Sequence, residues 1–282
     1  MRERSKVSLR YFTGTGNSKR IVELCAEEFE AAGYSIDLSS ILSGGPPLEG
    51  SAMAAFAFPV YSLDLPRVAR RYLEGLPPAQ GRPRTLLLVT GGNEDDCGWA
   101  LIEGCRILRE RGYDPSYADL VRMPNNWGTF MRVPTGEEAS VILEAGEAKA
   151  RAAAKAFLAG ERYAKPLSLP VFGPLGSRLM RALFHKRGVK QLWKFFKASE
   201  ACTGCGLCAR SCPMKSIVME PGRPVRGAGP AQGARPRWSS SCEQCMRCFN
   251  LCPSRAILQL EAIGHGSSHE RWIEPHFKPT ED

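Results

Sequence analysis

The sequence predicts an α/β fold, a doubly wound five-stranded parallel sheet followed by a small α+β module. Three observations lead there. A strand-like segment at 6–12 runs into a loop rich in glycine and hydroxyl groups, and then into a helix. Apolar strand segments and amphipathic helices go on alternating to residue 158, the pattern of a parallel sheet covered on both faces. Beyond residue 200, eight of the eleven cysteines fall in two copies of one spacing.

The first strand leads into Thr13-Gly14-Thr15-Gly16-Asn17-Ser18, and the helix after it carries an apolar stripe of Ile21, Val22, Leu24, Cys25 and Phe29. Glycines and hydroxyls between a strand and a helix N-terminus make an anion cradle, because backbone N–H groups and the helix dipole both favour negative charge there. The loop matches neither Walker A nor a full GxGxxG, and it contains no Lys or Arg, so neutral donors supply the affinity. A buried strand, Ala54 to Phe58, leads into Pro59-Val60-Tyr61-Ser62-Leu63-Asp64-Leu65-Pro66 and a helix from Arg67 to Leu76. The next strand, Thr85 to Val89, leads into Thr90-Gly91-Gly92-Asn93-Glu94-Asp95-Asp96 and a helix with Trp99, Ile102, Ile107 and Leu108. Tyr113 to Val121 reads as the last strand and Glu137 to Leu158 as the last helix, with Met123-Pro124-Asn125-Asn126-Trp127 between them. In a doubly wound sheet, loops at the carboxyl ends of neighbouring strands flank one ligand crevice.

The first loop resembles the phosphate loop of flavodoxins, Ser/Thr-x-Thr-Gly-Asn-Thr/Ser, at every constrained position. The resemblance implies FMN, with Thr13, Gly14, Thr15, Gly16, Asn17 and Ser18 around its phosphate. It places the second loop (Pro59, Val60, Tyr61, Ser62) and the third (Thr90, Gly91, Gly92, Asn93) along the flavin ring. Tyr61 is the candidate for stacking on that ring, and Trp127 either covers it or packs in the protein. Asp64, Glu94, Asp95 and Asp96 read as solvated, without an acid/base pair among them. Cys25 and Cys105 read as core residues, and Cys97 as a helix-start residue near the third loop.

The cysteine frames are Cys202-x-x-Cys205-x-x-Cys208-x-x-x-Cys212-Pro213 and Cys242-x-x-Cys245-x-x-Cys248-x-x-x-Cys252-Pro253. Three thiolates at i+3 spacings wrap three corners of a cuboidal [4Fe–4S] cluster, and the proline turns the chain away after the fourth cysteine. CxxC pairs also build Zn(Cys)4 sites, but zinc leaves the extra cysteine and the Cys-Pro unexplained. A disulfide framework conflicts with the absence of a secretory signal. Both frames, with Ile217 and Ile257 after them, resemble bacterial two-cluster ferredoxins. The resemblance implies that each fourth cysteine serves the other cluster. Cys202, Cys205, Cys208 and Cys252 then hold one, and Cys242, Cys245, Cys248 and Cys212 the other.

The 282 residues are 43% hydrophobic and 24% charged, an ordinary globular balance, and they contain no apolar run long enough for a transmembrane span. The net charge of +9 is uneven: −1 over residues 1–160, +7 over 161–200 and +3 over 201–282. A basic linker of this kind differs from a basic nucleic-acid-binding fold, so no nucleic acid is expected. The chain divides into 1–160, a linker 161–198, a cluster module 199–263 and a tail 264–282. Within the linker, 177–197 reads as a basic amphipathic stretch broken at Gly188. It either packs on the protein or touches a membrane surface, and packing is favoured. The Gly/Pro-rich insert between the frames and the tail histidines His265, His269 and His276 read as solvated.

Taken whole, the chain resembles a small prokaryotic family in which a flavodoxin-like domain is fused to a two-[4Fe–4S] ferredoxin domain. That resemblance implies a cytoplasmic electron-transfer protein that relays electrons between FMN and the clusters, to or from an unidentified redox partner. A flavin-dependent reductase with its own substrate and an iron–sulfur redox sensor are the rival expectations.

Overall fold

The computed structural model describes residues 4–43, 48, 50–93, 99–129, 131–165, 189–221, 233–260 and 270–279. The N-terminal module runs β1 (Lys6–Tyr11), α1 (Asn17–Ala31), β2 (Ser35–Ser40), β3 (Ser51–Pro59), α2 (Arg67–Glu74), β4 (Arg84–Gly91), α3 (Ala100–Glu110), β5 (Asp114–Arg122), α4 (Gly136–Leu158) and β6 (Tyr163–Ala164). All six strands are parallel, in the order β2-β1-β3-β4-β5-β6. The first five follow the flavodoxin-like order 2-1-3-4-5, whose switch point lies between β1 and β3. Two-residue β6 lengthens the predicted five-stranded sheet by one edge strand.

The central strands are apolar on both faces because helices cover both. Ala55, Ala57, Leu86 and Leu88 face a core shared with Ile21, Leu24, Phe29 and Phe157 of α1 and α4. Phe56, Phe58, Leu87 and Val89 face the other core, shared with Ala69, Leu73, Leu101 and Leu108 of α2 and α3. Cys25 and Cys105 are buried in these two cores, as expected. Asp64, expected to be solvated, is buried instead: its carboxylate accepts from Leu65 N at 2.7 Å and pairs with Arg70 at 3.0 Å. The reason is local, since the chain turns inward ahead of α2 and Asp64 satisfies the buried Leu65 N–H there. Glu94, Asp95, Asp96 and Cys97 lie outside the described residues.

The C-terminal module is two small antiparallel ladders. β7 (Phe196–Ala198) pairs with β10 (Ile257–Gln259), and β8 (Ile217–Glu220) pairs with β9 (Arg235–Trp238). Short helices α5 (Leu207–Arg210) and α6 (Arg247–Leu251) lie within the cysteine runs and carry Cys208 and Cys248. The core is Phe196, Ile217, Trp238, Met246, Phe249 and Ile257, with Phe196 stacked on Trp238 at 5.3 Å. Both ends of the expected linker 161–198 are thus taken into the modules, residues 163–164 by β6 and 196–198 by β7. Of the amphipathic stretch, 177–188 lies outside the described residues. Val189–Phe195 forms a 3-10 helix whose Trp193 packs on the module's own core. The insert from 222 to 232 and His265 and His269 also lie outside the described residues, and His276 pairs with Glu274 at 2.8 Å. Among the described residues no helix is long and apolar enough to cross a membrane.

Candidate redox site

The β1–α1 loop is held in shape by its own hydroxyls. Thr13 Oγ1 accepts from Gly16 N at 3.0 Å, and the Ser18 and Thr90 hydroxyls bond at 2.8 Å, fixing the first and third loops to each other. Gly16 takes φ +107°, which only glycine adopts readily. Helix α1 has no side-chain N-cap bond and no acidic residue in its first turn. Its leading N–H groups therefore suit an outside anion.

A crevice of about 390 Å³ lies among the loops, lined by Thr13, Gly14, Thr15, Asn17, Ser18, Pro59, Val60, Tyr61, Thr90, Gly91 and Gly92 together with Pro124, Asn125 and Asn126. It adjoins a wider hollow of about 920 Å³ bounded also by Ser62, Asn93, Trp127, Leu63, Met131 and Gln244. Of the residues expected around a flavin, Gly16 alone lines neither space. It lies under the C-terminal tail, where a Cβ would meet Glu274 at 2.5 Å and Phe277 at 2.6 Å. Tyr61 lines both spaces. Its ring meets Phe12 edge-on at 6.4 Å, its hydroxyl has no hydrogen-bond partner among the described residues, and burial pushes the phenol well above its ordinary pKa. Trp127 lines the hollow and also packs on the C-terminal core, donating from Nε1 to Gln259 Oε1 at 3.4 Å.

The cysteines separate into two groups that cross between the frames. Burial pushes the Cys208 thiol up to about 11, and the proximity of Cys202, Cys205 and Cys252 adds to the shift. Burial likewise pushes Cys248 well above its ordinary value, reinforced by Cys245, Cys242 and Cys212. Cys242 rises to about 11 and Cys245 to about 12 from the same dominant cause. Removing these protons is the work a soft cation performs on binding. Among the described residues no group of three or more His, Cys, Asp or Glu closes on a single ion. Backbone N–H groups already point at sulfur: Ser216 N lies 3.3 Å from Cys212 Sγ and Ala256 N lies 3.3 Å from Cys252 Sγ. Two further donors, Arg271 Nε and Nη1, are buried with no hydrogen-bond partner among the described residues. Such orphaned donors beside thiols fit a group that brings its own sulfur acceptors.

The crevice and the second cysteine group share a wall. A Cβ on Gly14 would lie 2.5 Å from Tyr61 Oη and would overlap the Cys245 carbonyl oxygen. Arg247, 2% exposed, donates from Nε to Gly14 O at 2.7 Å and from Nη2 to Thr13 O at 2.9 Å. Glu274 N donates to Thr15 O at 2.8 Å, and Trp272 Nε1 donates to Asn17 Oδ1 at 2.9 Å. Three successive loop carbonyls thus point to the C-terminal half. Asn126 bridges the halves, donating to Thr15 Oγ1 at 2.9 Å and Cys245 O at 3.4 Å. Arg67, at the start of α2, adds bonds to Glu243 Oε1 at 3.1 Å and Cys242 O at 2.6 Å. The sequence points to the three loops, two of them glycine-bearing, and to the eight frame cysteines. It does not point to Gln244 and Arg247, since nothing inside a cysteine frame signals which residues will face another module.

Residues 201–256 match the model of the 4Fe-4S dicluster domain family. No curated protein matches the chain. Among solved structures, oxidised flavodoxin 1 from Bacillus cereus is similar at 16% identity and TM-score 0.37, over 51% of this chain and 98% of that one. Two-electron reduced Megasphaera elsdenii flavodoxin is similar at 17% identity and TM-score 0.36, over 53% and 98%. Rubredoxin oxygen:oxidoreductase from Desulfovibrio gigas is similar at 19% identity and TM-score 0.33, over 55% and 37%. The flavodoxin-like order of the sheet itself and the match over 201–256 define the two halves: a flavodoxin-like module followed by an iron–sulfur dicluster module.

Proposed function

We propose that the crevice holds FMN, that the two cysteine groups hold two [4Fe–4S] clusters, and that the protein carries electrons between them for a redox partner protein. This is the arrangement of the flavodoxin–ferredoxin fusion family that the sequence resembles, and a cytoplasmic setting goes with it. One observation carries the proposal: within the second cysteine frame, Cys245 backs Gly14 of the crevice and Gln244 borders the adjoining hollow. When bound, a flavin exchanges one or two electrons and each cluster exchanges one, so the pair converts between the two modes.

The chain's own residues supply binding and insulation. The N–H groups opening α1 and the hydroxyls of Thr13, Thr15 and Ser18 suit the phosphate, and buried Arg247 adds positive charge behind the loop. Tyr61, Gly91, Gly92 and Trp127 border the space for the ring. The set Cys212, Cys242, Cys245 and Cys248 lies next to the crevice, with buried Met246 and Phe249 keeping water out. The set Cys202, Cys205, Cys208 and Cys252 lies farther along the chain of centres. Its Cys205 is exposed, which makes this end the port for the partner.

Iron, acid-labile sulfide and released flavin measured on one anaerobically purified sample test the proposal. It predicts about eight iron, about eight sulfide and about one FMN per chain, the stoichiometry of two [4Fe–4S] clusters. Cluster-replete protein that takes up no FMN on anaerobic reconstitution would refute the flavin half.

A further inference from the structure

We infer that Arg271, in the C-terminal tail, is a further positioning residue of the cluster site: a buried cation that donates N–H groups to cluster sulfur and raises the reduction potential of both clusters. The inference rests on the proposal that the two cysteine groups hold clusters.

The tail is pinned where both groups meet. Trp272 N donates to Asn250 Oδ1 at 2.9 Å, and Asn250 lies two residues from Cys248 on one side and from Cys252 on the other. Cys248 belongs to one cysteine group and Cys252 to the other. At that junction the Arg271 guanidinium lies on the Phe249 ring, 3.2 Å from its centroid, and the ring is fully buried. Nε and Nη1 are both buried and have no hydrogen-bond partner among the described residues.

A buried donor left unpaired is costly, and more so when the group is charged. Stacking on the Phe249 ring offers no acceptor to either N–H group, so packing alone leaves both unsatisfied. The missing term is an acceptor of negative character on the open side of the guanidinium. The charged groups facing Arg271 are Cys252 and Cys248, which favour its positive form, and Arg255, which opposes it. Burial lowers the Arg271 pKa to about 10, which leaves it charged at neutral pH.

The redox consequence follows from charge. Reduction adds one electron to a cluster and makes it more negative, with no bond broken and no proton moved. A fixed cation and N–H···S hydrogen bonds favour the more negative form, so they raise the potential. One guanidinium between Cys248 and Cys252 acts on both clusters.

The test is an anaerobic redox titration of the full-length holoprotein, followed by EPR and paired with iron analysis. Arg271→Met keeps an apolar stem over Phe249 and removes the charge and both donors. Arg271→Lys keeps the charge and removes the planar fork. The inference predicts about eight iron in Arg271→Met and both midpoints shifted to lower potential. At the wild-type midpoint the oxidised form should then outnumber the reduced about tenfold, a shift of about 59 mV for a one-electron couple. Arg271→Lys should shift the same way by less. Unchanged midpoints in iron-replete Arg271→Met would overturn the inference, and a shift confined to one cluster would overturn the shared role. If Arg271→Met loses iron, Arg271→Lys decides, and native midpoints there would overturn the donor role. Wild-type protein without iron would overturn the cluster proposal itself, and this inference with it.

Discussion

Arg247 belongs by sequence to the second cysteine frame and by contact to the β1–α1 loop. The loop's lack of Lys or Arg predicts an anion site that relies on neutral donors. The structure places a buried guanidinium behind it, fixing the Thr13 and Gly14 carbonyls and resting against the Phe277 ring at 4.9 Å. With those carbonyls held, the loop's shape is set before any phosphate arrives. Hydrogen bonds to a charged group contribute about 1.5–3 kcal/mol, and each 1.4 kcal/mol is about tenfold in affinity. Arg247→Met is therefore expected to weaken FMN binding by about 10- to 100-fold in a fluorescence titration. Wild-type affinity in that variant would show that the loop sets its own shape. Thr13–Ser18 and the eight cysteines are legible in the sequence as candidates, because phosphate and thiolate chemistry constrain residue type and spacing together. Arg247 is not, because its partners, Thr13 and Gly14, lie on the other module, and Arg271 is not, because its stacking on Phe249 follows from no spacing.

At the scale of elements, the loop after β3 departs from what its residues prefer. Tyr61 and Asp64 close a tight turn with reciprocal backbone bonds of 2.9 and 3.1 Å, and the two residues between them, Ser62 and Leu63, have φ +52° and +65°. Asn-Gly is the usual choice where both central residues have positive φ, so a turn built from Ser-Leu is invisible to pattern reading. The left-handed conformation costs an ordinary residue about 1–2 kcal/mol. Strain of this kind collects at binding sites, and Leu63 borders the hollow. Replacing Ser62-Leu63 with Asn-Gly is expected to raise the unfolding free energy by about 1–2 kcal/mol in denaturant titration. A lower midpoint would mean that Leu63 contributes more by contact than its backbone costs.

The two cysteine runs repeat this lesson. Gly204 and Gly206 have φ +72° and +73° in the first, and Gln244 and Met246 have +59° and +58° at the equivalent places in the second. The second run gives up glycine because those side chains are used: Gln244 accepts from Gln259 at 2.6 Å and borders the hollow, and Met246 is buried in the module's core. The duplicated spacing is plain in the sequence, whereas the asymmetry that turns one copy towards the crevice is not.

Over the whole molecule, strand alternation and cysteine spacing are enough to separate the two modules, and the parallel order of the first five strands follows from that alternation. Their mutual placement does not, because it depends on donors meeting backbone carbonyls across the interface. Arg67 and Arg247 each reach such oxygens from opposite sides, and Asn126 and Asn250 complete the seam, with Asn250 Nδ2 donating to Asn126 O at 3.0 Å. The seam brings one cysteine group to the crevice wall and leaves Cys205 of the other exposed. That order of centres is the central claim. Flash photoreduction of anaerobic holoprotein with a low-potential deazaflavin radical, at less than one electron per molecule, tests it most directly. The account predicts that cluster bleaching recovers while flavin absorbance falls at the same first-order rate, whatever the protein concentration. A rate that rises with protein concentration would show electrons crossing between molecules, and would contradict a relay built into one chain.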